Sequence, residues 1–199
     1  MHILAATKNI GKVKELKMLL ADLPLQLRSL NEFSNVVDVE ETGASFTENA
    51  VLKAKSYAVQ IGLLALADDS GLEVSALGGA PGIFSARYGG ENSGDAEKIT
   101  KLLEELNKTR DKKRQARFVC AMAISDDKGE IKFIAEGICD GTIASTPSGI
   151  YGFGYDPVFI PEGFEQTFGE ISSEIKMKIS HRARAIKKII RFLRGFIAS

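Results

Sequence analysis

Two adjacent aspartates follow an all-apolar segment and are the residues best suited to carry chemistry. Asp68 and Asp69 come directly after the run 63–67 and are followed by Ser70. Two carboxylates beside a hydroxyl could hold Mg²⁺ and polarise a water molecule. Because successive side chains of an extended strand point to opposite faces, we expect only one aspartate to contact a metal ion directly. The alternative is a turn in which Asp and Ser side chains cap backbone donors.

An acidic segment upstream of these aspartates could supply a further metal ligand. Glu40 and Glu41 lie within residues 31–50, which carry five acidic residues and no basic ones. Taken alone, such a segment is more often a solvated loop. The residues 171–199 have the opposite bias, with eight Lys and Arg against one acid. Charge is therefore segregated along the chain.

The segment 7–12, Thr-Lys-Asn-Ile-Gly-Lys, has the composition of a phosphate-binding loop. Backbone N–H groups at a helix N-terminus, a glycine and a lysine offer several donors and positive charge to one anion. It is not a Walker A loop, because the upstream glycine is missing and Val13 stands where Ser or Thr should follow the lysine. A capped turn between strand and helix, with no ligand, is an equally good interpretation.

Three further segments could contact a flat ring or a polar ligand. The glycines of 152–157 flank two aromatics that could stack on a base, or pack as a turn. Three glycines and a proline make 77–82 an ordered turn. The sequence Ser-His-Arg at 180–182, with Lys176 upstream, could donate to a carbonyl oxygen or a phosphate. A lone histidine is more often a structural residue.

Apolar periodicity predicts an α/β fold that positions these segments. A capping residue at Thr47, a stop at Gly62 and a hairpin turn at 126–129 are expected, and Ser180 is placed to cap the last helix. The predicted strands are 3–6, 63–67, 117–125 and 131–136, and the predicted helices are 12–20, 46–61, 95–107 and 181–197.

Composition narrows the class of protein. The 199 residues include 26 basic and 26 acidic ones, and a net charge of zero argues against a general nucleic-acid or membrane-surface binder. With 44% hydrophobic residues and no internal repeat or linker, we expect one folded domain over 1–199.

Cys120 and Cys139 lie in apolar stretches, which argues against a disulfide framework. The apolar run at the first residues is too short for a signal peptide. A reducing, cytoplasmic location is expected.

Taken in order, these segments resemble the inosine triphosphate pyrophosphatase family, also called the non-canonical purine NTP pyrophosphatases. Each motif alone is weak evidence for the family, but the joint occurrence of all of them over nearly the whole chain is highly specific for it. Lys8 and Tyr151 stand where the family usually has small residues. The matching segments are ATKNIGKVKEL (6–16), EETGASFTENAVLKA (40–54), ADDSGLEVSALGGAPGIFSARY (67–88), YGFGYDP (151–157), TFGE (167–170) and KMKISHRARA (176–185).

The resemblance implies Mg²⁺-dependent hydrolysis of ITP, dITP and XTP to the monophosphate and pyrophosphate. It implies a two-lobed, mixed-sheet α/β fold with flanking helices, a nucleotide cleft between the lobes, and a homodimer. It implies that Asp69 is the base that activates water. It also implies that the metal is bound by Glu41, Glu40, Asp68 and Asp69. The substrate-binding residues that it implies are Thr7, Lys8, Asn9, Ile10, Gly11, Lys12 and Lys53 for the triphosphate, Ser70 for another substrate contact, and Phe153, Gly154, Tyr155, Asp156, Lys176, His181 and Arg182 around the base.

Donors at His181 and Arg182 would favour a 6-oxo purine over adenine, although they could not reject guanine. Two other functions stay open. A pyrophosphatase of the septum-inhibition type, acting on modified pyrimidine nucleotides or on standard ones such as dTTP and UTP, is disfavoured by the segments SHR and FGYDP. A non-catalytic nucleotide-binding module would be expected to lack the acidic residues, which are all present here.

Overall fold

Strands and helices alternate along the chain. The structure, a computed structural model, describes residues 1–90, 93–110 and 112–198. The strands are β1 (His2–Ala5), β2 (Gln26–Ser29), β3 (Ala65–Val74), β4 (Gln115–Ser125), β5 (Ile131–Ile143) and β6 (Phe159–Pro161). The helices are α1 (Ile10–Leu19), α2 (Phe46–Ile61), α3 (Asp95–Lys108), α4 (Ser173–Ile179) and α5 (His181–Ala198).

The six strands form one mixed sheet in the order β2-β1-β3-β4-β5-β6. Strand β1 runs parallel to β2 and to β3, whereas β5 and β6 are antiparallel. The predicted α/β fold with a mixed sheet and flanking helices is therefore confirmed. Within the described residues, we find no helix whose length and apolar character would let it cross a membrane.

The chain divides into two compact units. Unit 1 comprises Met1–Asp69, Cys120–Gly137 and Arg182–Ser199, and unit 2 comprises Ser70–Val119 and Ile138–His181. Each unit has its own apolar core, as burial of apolar surface requires of a stable unit.

The core of unit 1 is built from strands and the last helix. Helix α5 contributes Ile186, Ile189 and Leu193, which are fully buried and recur every three or four residues. This spacing places them on one helix face, where they pack with Leu66 of β3 and Met122 of β4. The apolar pattern that predicted this helix therefore also defines the face that it buries.

The core of unit 2 is rich in aromatic rings. The ring centroids of Phe118 and Phe159 lie 4.6 Å apart, and those of Phe159 and Phe168 lie 5.3 Å apart. Leu102 of α3 is buried in the same cluster. These rings provide a rigid support for the turn at 152–157, whose Tyr155 belongs to this core.

The structure corrects several predicted boundaries. Strand β3 continues to Val74, so Asp68 and Asp69 lie within the strand and the prediction that it ends at Ala67 is wrong. The polar residues stay in the strand because they are buried and ion-paired, a possibility that an apolar pattern does not reveal. Strand β5 is also longer than predicted, because its alternation of buried and exposed residues extends to Ile143.

Helix ends differ in detail as well. Helix α1 begins two residues earlier than predicted, at Ile10, with Asn9 as its N-cap. Helix α2 is capped by Ser45, whose Oγ accepts a bond of 3.1 Å from the backbone N–H of Glu48. The prediction of Thr47 as the cap is wrong, since its hydroxyl donates to the Glu136 carboxylate instead. Gly62 ends α2 with a φ of +71°, as predicted.

The Asp126 N–H donates to the Glu130 carbonyl, and the Gly129 N–H donates to the Asp126 carbonyl, which confirms the predicted hairpin turn. Strands β2 and β6 and helix α4 were not predicted from the sequence, because they are too short to establish a period.

Gly149 is expected to tolerate no side chain. Its φ is +86°, and a Cβ there would lie 2.0 Å from the backbone of Gly169. Gly163, with a φ of +83°, has nothing within 4 Å of the same position. An alanine should cost about 1–2 kcal/mol at either site through φ alone. At Gly149 we expect a further loss of about 1–3 kcal/mol from the backbone clash.

Urea unfolding of Gly149→Ala and of its matched control Gly163→Ala measures this difference. Equal free energies of unfolding for the two variants would contradict the close approach of 149 and 169.

Candidate active site

A buried lysine joins two carboxylates in unit 1. Lys53 lies on α2, and its Nζ donates to Glu41 Oε1 at 2.6 Å and to Asp69 Oδ1 at 2.8 Å. The three residues come from a loop, a helix and a strand, and the fold brings them together at one ammonium group. Charged hydrogen bonds of this length are among the stronger interactions in proteins.

Burial and charge set the proton affinities of this group. Burial raises the pKa of Asp69, and the neighbouring Glu41 charge raises it further, so that the opposing effect of Lys53 is outweighed. Burial would lower the pKa of Lys53, but the charges of Asp69 and Glu41 raise it above its usual value. The lysine is therefore held charged, while Asp69 is a stronger base than an exposed carboxylate.

The second oxygen of Asp69 is available for a ligand. Among the residues that the structure describes, Asp69 Oδ2 is buried and has no hydrogen-bond partner. A buried polar atom without a partner is costly, so one that persists suggests an ion or a water. Glu41 remains about a quarter exposed, and Glu40 points to solvent. Of the two glutamates, Glu41 is therefore the one that contacts Lys53.

Oxygen donors of this kind fit a divalent cation. Mg²⁺ is usually held by one or two carboxylates, by waters and by substrate phosphates rather than by a complete protein cage. Within residues 1–90, 93–110 and 112–198, no group of three or more His, Cys, Asp or Glu converges on one point. A pair formed by Glu41 and Asp69 is consistent with the first arrangement and not with a preformed cage.

Asp68 has different neighbours from Asp69. Its Oδ1 lies 2.7 Å from the Lys12 ammonium, and its Oδ2 accepts from Arg182 Nε at 2.9 Å. Burial by itself raises the pKa of Asp68, but the Arg182 and Lys12 charges hold it well below its usual range. The two aspartates thus have separate sets of partners, as expected for neighbours on an extended strand.

The predicted phosphate segment forms the capped start of α1. Asn9 Oδ1 accepts from the Lys12 backbone N–H at 3.0 Å, and Thr7 Oγ1 accepts from the Asn9 N–H at 3.2 Å. Lys8 is ion-paired with Asp38 on the surface. Ile10 and Gly11 occupy the first turn, and the Ile10 side chain is 79% exposed. A helix N-terminus with a nearby ammonium is suited to an anion.

In unit 2, the segment 152–157 is a turn built around a buried ion pair. Asp156 Oδ2 accepts from Lys176 Nζ at 2.6 Å and from the Phe153 backbone N–H at 2.7 Å. The Lys176 ammonium also lies 5.0 Å from the centre of the Phe153 ring. Gly152 is required here, because a Cβ would lie 1.9 Å from the Asp156 carboxylate. The Gly154 N–H donates to Asp95.

The other predicted base-binding residues of unit 2 are well packed. The Tyr155 hydroxyl donates to the Ser85 carbonyl at 3.0 Å, and its ring is buried. The His181 ring stacks on Phe118 with a centroid distance of 4.6 Å and an interplanar angle of 13°. Ser70 is half-buried on β3. Of the aromatics in the turn, Phe153 is the one not buried in the core, so it is the better platform for a base.

The sequence of this chain is similar to those of known proteins. The family model described as the Ham1 family matches residues 3–192. The chain belongs to the Ham1 family. This Ham1-family chain is 46% identical over 189 residues to a protein from Bacillus anthracis named dITP/XTP pyrophosphatase, with 94% of each chain covered. A relative of the same name from Geobacillus kaustophilus is 48% identical over 188 residues, covering 94% of this chain and 92% of the relative.

Solved structures of Ham1 proteins have the same fold. The HAM1 protein of Coxiella burnetii matches with a TM-score of 0.89 and 42% identity, covering 98% of this chain and 99% of that one. The Ham1 protein of Staphylococcus aureus matches with a TM-score of 0.85 and 42% identity, with the same coverage. The family predicted from the motifs is confirmed.

Sequence reasoning missed two partners of the predicted site in this Ham1-family chain. Glu15 contacts the Arg182 guanidinium, and the Cys120 thiol donates to Asp68 Oδ2 at 3.4 Å. The sequence contains a pattern that could have indicated Glu15, because this residue lies three residues after Lys12 and so on the same face of α1. No sequence pattern indicated Cys120, since a cysteine in an apolar strand is usually an ordinary core residue.

Proposed function

We propose that this chain hydrolyses the non-canonical purine nucleoside triphosphates ITP, dITP and XTP to the monophosphate and pyrophosphate. The chain is an enzyme of the nucleoside triphosphate pyrophosphohydrolase class, and the relatives cited above are named for dITP and XTP. The observation that carries the proposal is the cluster of Glu41, Lys53 and Asp69, in which a buried carboxylate of raised pKa keeps one oxygen without a partner.

Asp69 is assigned as the base. A water oxygen forms a bond to the α-phosphorus, the bond from that phosphorus to the bridging oxygen breaks, and pyrophosphate leaves. Asp69 accepts the proton of the attacking water, for which its raised pKa is favourable. Lys53 holds Asp69 in place through Oδ1, which leaves Oδ2 for the water or for an ion.

The triphosphate is assigned to the start of α1 and to Lys53. The departing pyrophosphate gains negative charge, which fixed positive groups stabilise without reorganisation. Lys12 and the N-terminal turn formed by Asn9, Ile10 and Gly11 supply such groups, and Thr7 and Lys8 precede them in the same loop.

We assign Mg²⁺ to Glu41 and Asp69, with Glu40 as a further ligand or a ligand through water. The orphaned oxygen of Asp69 and the part-exposed Glu41 carboxylate are the observations that support this choice. When bound, Mg²⁺ supplies positive charge to phosphate oxygens and acidifies a coordinated water. Lys53 keeps the two carboxylates from repelling each other when no ion is bound.

The base is assigned to residues of unit 2. Phe153 offers a ring face, Lys176 and the backbone of Gly154 and Tyr155 frame the turn, and Asp156 holds Lys176. His181 is a donor at the junction of α4 and α5, and Ser70 is assigned a further substrate contact. Donors facing the 6-oxo group would discriminate against adenine by about 10- to 100-fold, because a buried donor left unpaired costs about 1–3 kcal/mol.

The quaternary structure and location are also proposals. We propose a cytoplasmic homodimer, on the basis of the resemblance to the family, and light scattering of the purified chain would test the dimer.

Pyrophosphate release from dITP, XTP, ITP, GTP, ATP and dTTP, with and without Mg²⁺, tests the function. We expect kcat/KM for dITP and XTP to exceed that for ATP by at least about tenfold, with little release in EDTA. Equal rates on ATP and dITP would overturn the substrate assignment. Preference for dTTP would favour the septum-inhibition type, and binding without release would favour a non-catalytic module.

A further inference from the structure

We propose that Asp68 is a positioning residue, not a metal ligand, and that it holds the Lys12 ammonium ready for the triphosphate. The inference deepens the proposed function and rests on it. Glu15, Arg182 and Cys120 in turn hold Asp68 in place.

Both oxygens of Asp68 contact cationic groups. Lys12 lies 2.7 Å from Oδ1, while Arg182 approaches Oδ2 through Nε at 2.9 Å and Nη2 at 2.8 Å. The side chain of Asp68 is 0% exposed. A metal ion could reach this carboxylate only by displacing a lysine or an arginine. Asp69 has no such obstacle at Oδ2.

The contacts form a network of alternating charges. Lys12 pairs with Asp68, Asp68 with Arg182, and Arg182 with Glu15, which lies three residues after Lys12 on α1. The network joins α1, β3 and α5, and its four formal charges cancel. Arg182 is 1% exposed, and its guanidinium contacts both carboxylates. We therefore assign Arg182 a role through Asp68 in addition to its assignment to the base.

The network restrains the orientation of the Lys12 side chain through its contact with Asp68. A lysine has a flexible stem, and its free ammonium samples many positions in water. Contact with one oxygen of Asp68 restrains that motion, while the group, with three donors in all, can still bond to a phosphate. Lys12 remains 15% exposed, unlike Asp68, so it is the member of the pair that a ligand can reach.

A double-mutant cycle on nucleotide binding tests the proposal. Binding of the non-hydrolysable α,β-methylene analogue of dITP is measured by calorimetry for the parent, Asp68→Asn, Lys12→Met and the double variant. We expect Asp68→Asn to weaken binding about tenfold in the parent and less than about twofold beside Lys12→Met. Lys14→Met, an exposed lysine of the same helix, is the matched control and should change binding less than about twofold.

Metal binding separates the two roles of a carboxylate. Mn²⁺ affinity of the protein without nucleotide, measured by electron paramagnetic resonance, should stay unchanged in Asp68→Asn and fall in Asp69→Asn. A loss of Mn²⁺ affinity in Asp68→Asn would overturn the proposal. So would an equally large effect on nucleotide binding with and without Lys12.

Glu15→Gln provides the same test if Asp68→Asn does not fold. This side chain is 18% exposed, and the amide keeps its shape while removing the charge that holds Arg182. We expect weaker analogue binding that depends on Lys12, and unchanged binding would overturn the proposal. A parent protein that binds no analogue and releases no pyrophosphate would overturn the proposed function, and this inference with it.

Discussion

Replacing Asp69 by asparagine is expected to lower kcat for dITP by about 10²–10⁴-fold, the usual contribution of a positioned general base. The amide preserves the shape of the side chain and can still accept the bond from Lys53. It cannot accept a proton from water, and it is a poorer metal ligand than a carboxylate. The KM for dITP should change much less than kcat. Steady-state pyrophosphate release measures both.

Asp22→Asn is the matched control for this variant. Asp22 is an exposed aspartate in the turn after α1, and its replacement removes the same charge from the same unit. Its kcat should equal that of the parent. A kcat for Asp69→Asn within about threefold of the parent would exclude Asp69 as the base, because general-base catalysis contributes far more than that.

Replacing Lys53 by methionine is expected to reduce both activity and stability. Methionine has a similar length but no charge, so Glu41 and Asp69 would lose the ammonium that now bridges them. We expect kcat/KM to fall by about 10²–10³-fold, as when one preorganised electrostatic group is lost. Breaking a buried ion pair should also lower the free energy of unfolding by about 3–5 kcal/mol.

Lys55→Met distinguishes this effect from a general loss of charge. Lys55 lies two residues along α2 and is exposed, so the same substitution there should leave kcat/KM and urea unfolding nearly unchanged. A Lys53→Met protein that is as stable and as active as Lys55→Met would show that the bridge has no function. Loss of stability with full activity would restrict Lys53 to a structural role.

The local sequence was sufficient for helices α1, α2, α3 and α5 and for the longer strands. Helix α5 was predicted because Ile186, Ile189 and Leu193 recur at helical spacing, and these residues do form its buried face. Strand β3 was predicted to begin at residue 63, two residues before its first residue Ala65, and to end at Ala67, well before its last residue Val74. A polar residue ends an apolar pattern whether or not it is buried, and burial depends on ion-pair partners that lie far along the chain.

The motifs were also sufficient for the family. The resemblance implied Asp69 as the base and placed the metal on Glu41, Glu40, Asp68 and Asp69, but the motifs did not show which cations contact each carboxylate. Period-two alternation shows that adjacent strand residues face opposite ways, but it does not say which group lies on each side. In the structure, Asp69 contacts Lys53, whereas Asp68 contacts Lys12 and Arg182.

The sequence by itself determined the α/β class, the family and the acidic and basic segments that its chemistry needs, because these depend on residue type and short-range spacing. Only the tertiary structure decided which charged side chains form ion pairs with each other. Arg182 and Asp68 are 114 positions apart, and Lys53 and Asp69 are 16 apart. Such partners are set by how the helices pack on the sheet, and with burial they shift the pKa of Asp68 downward and that of Asp69 upward.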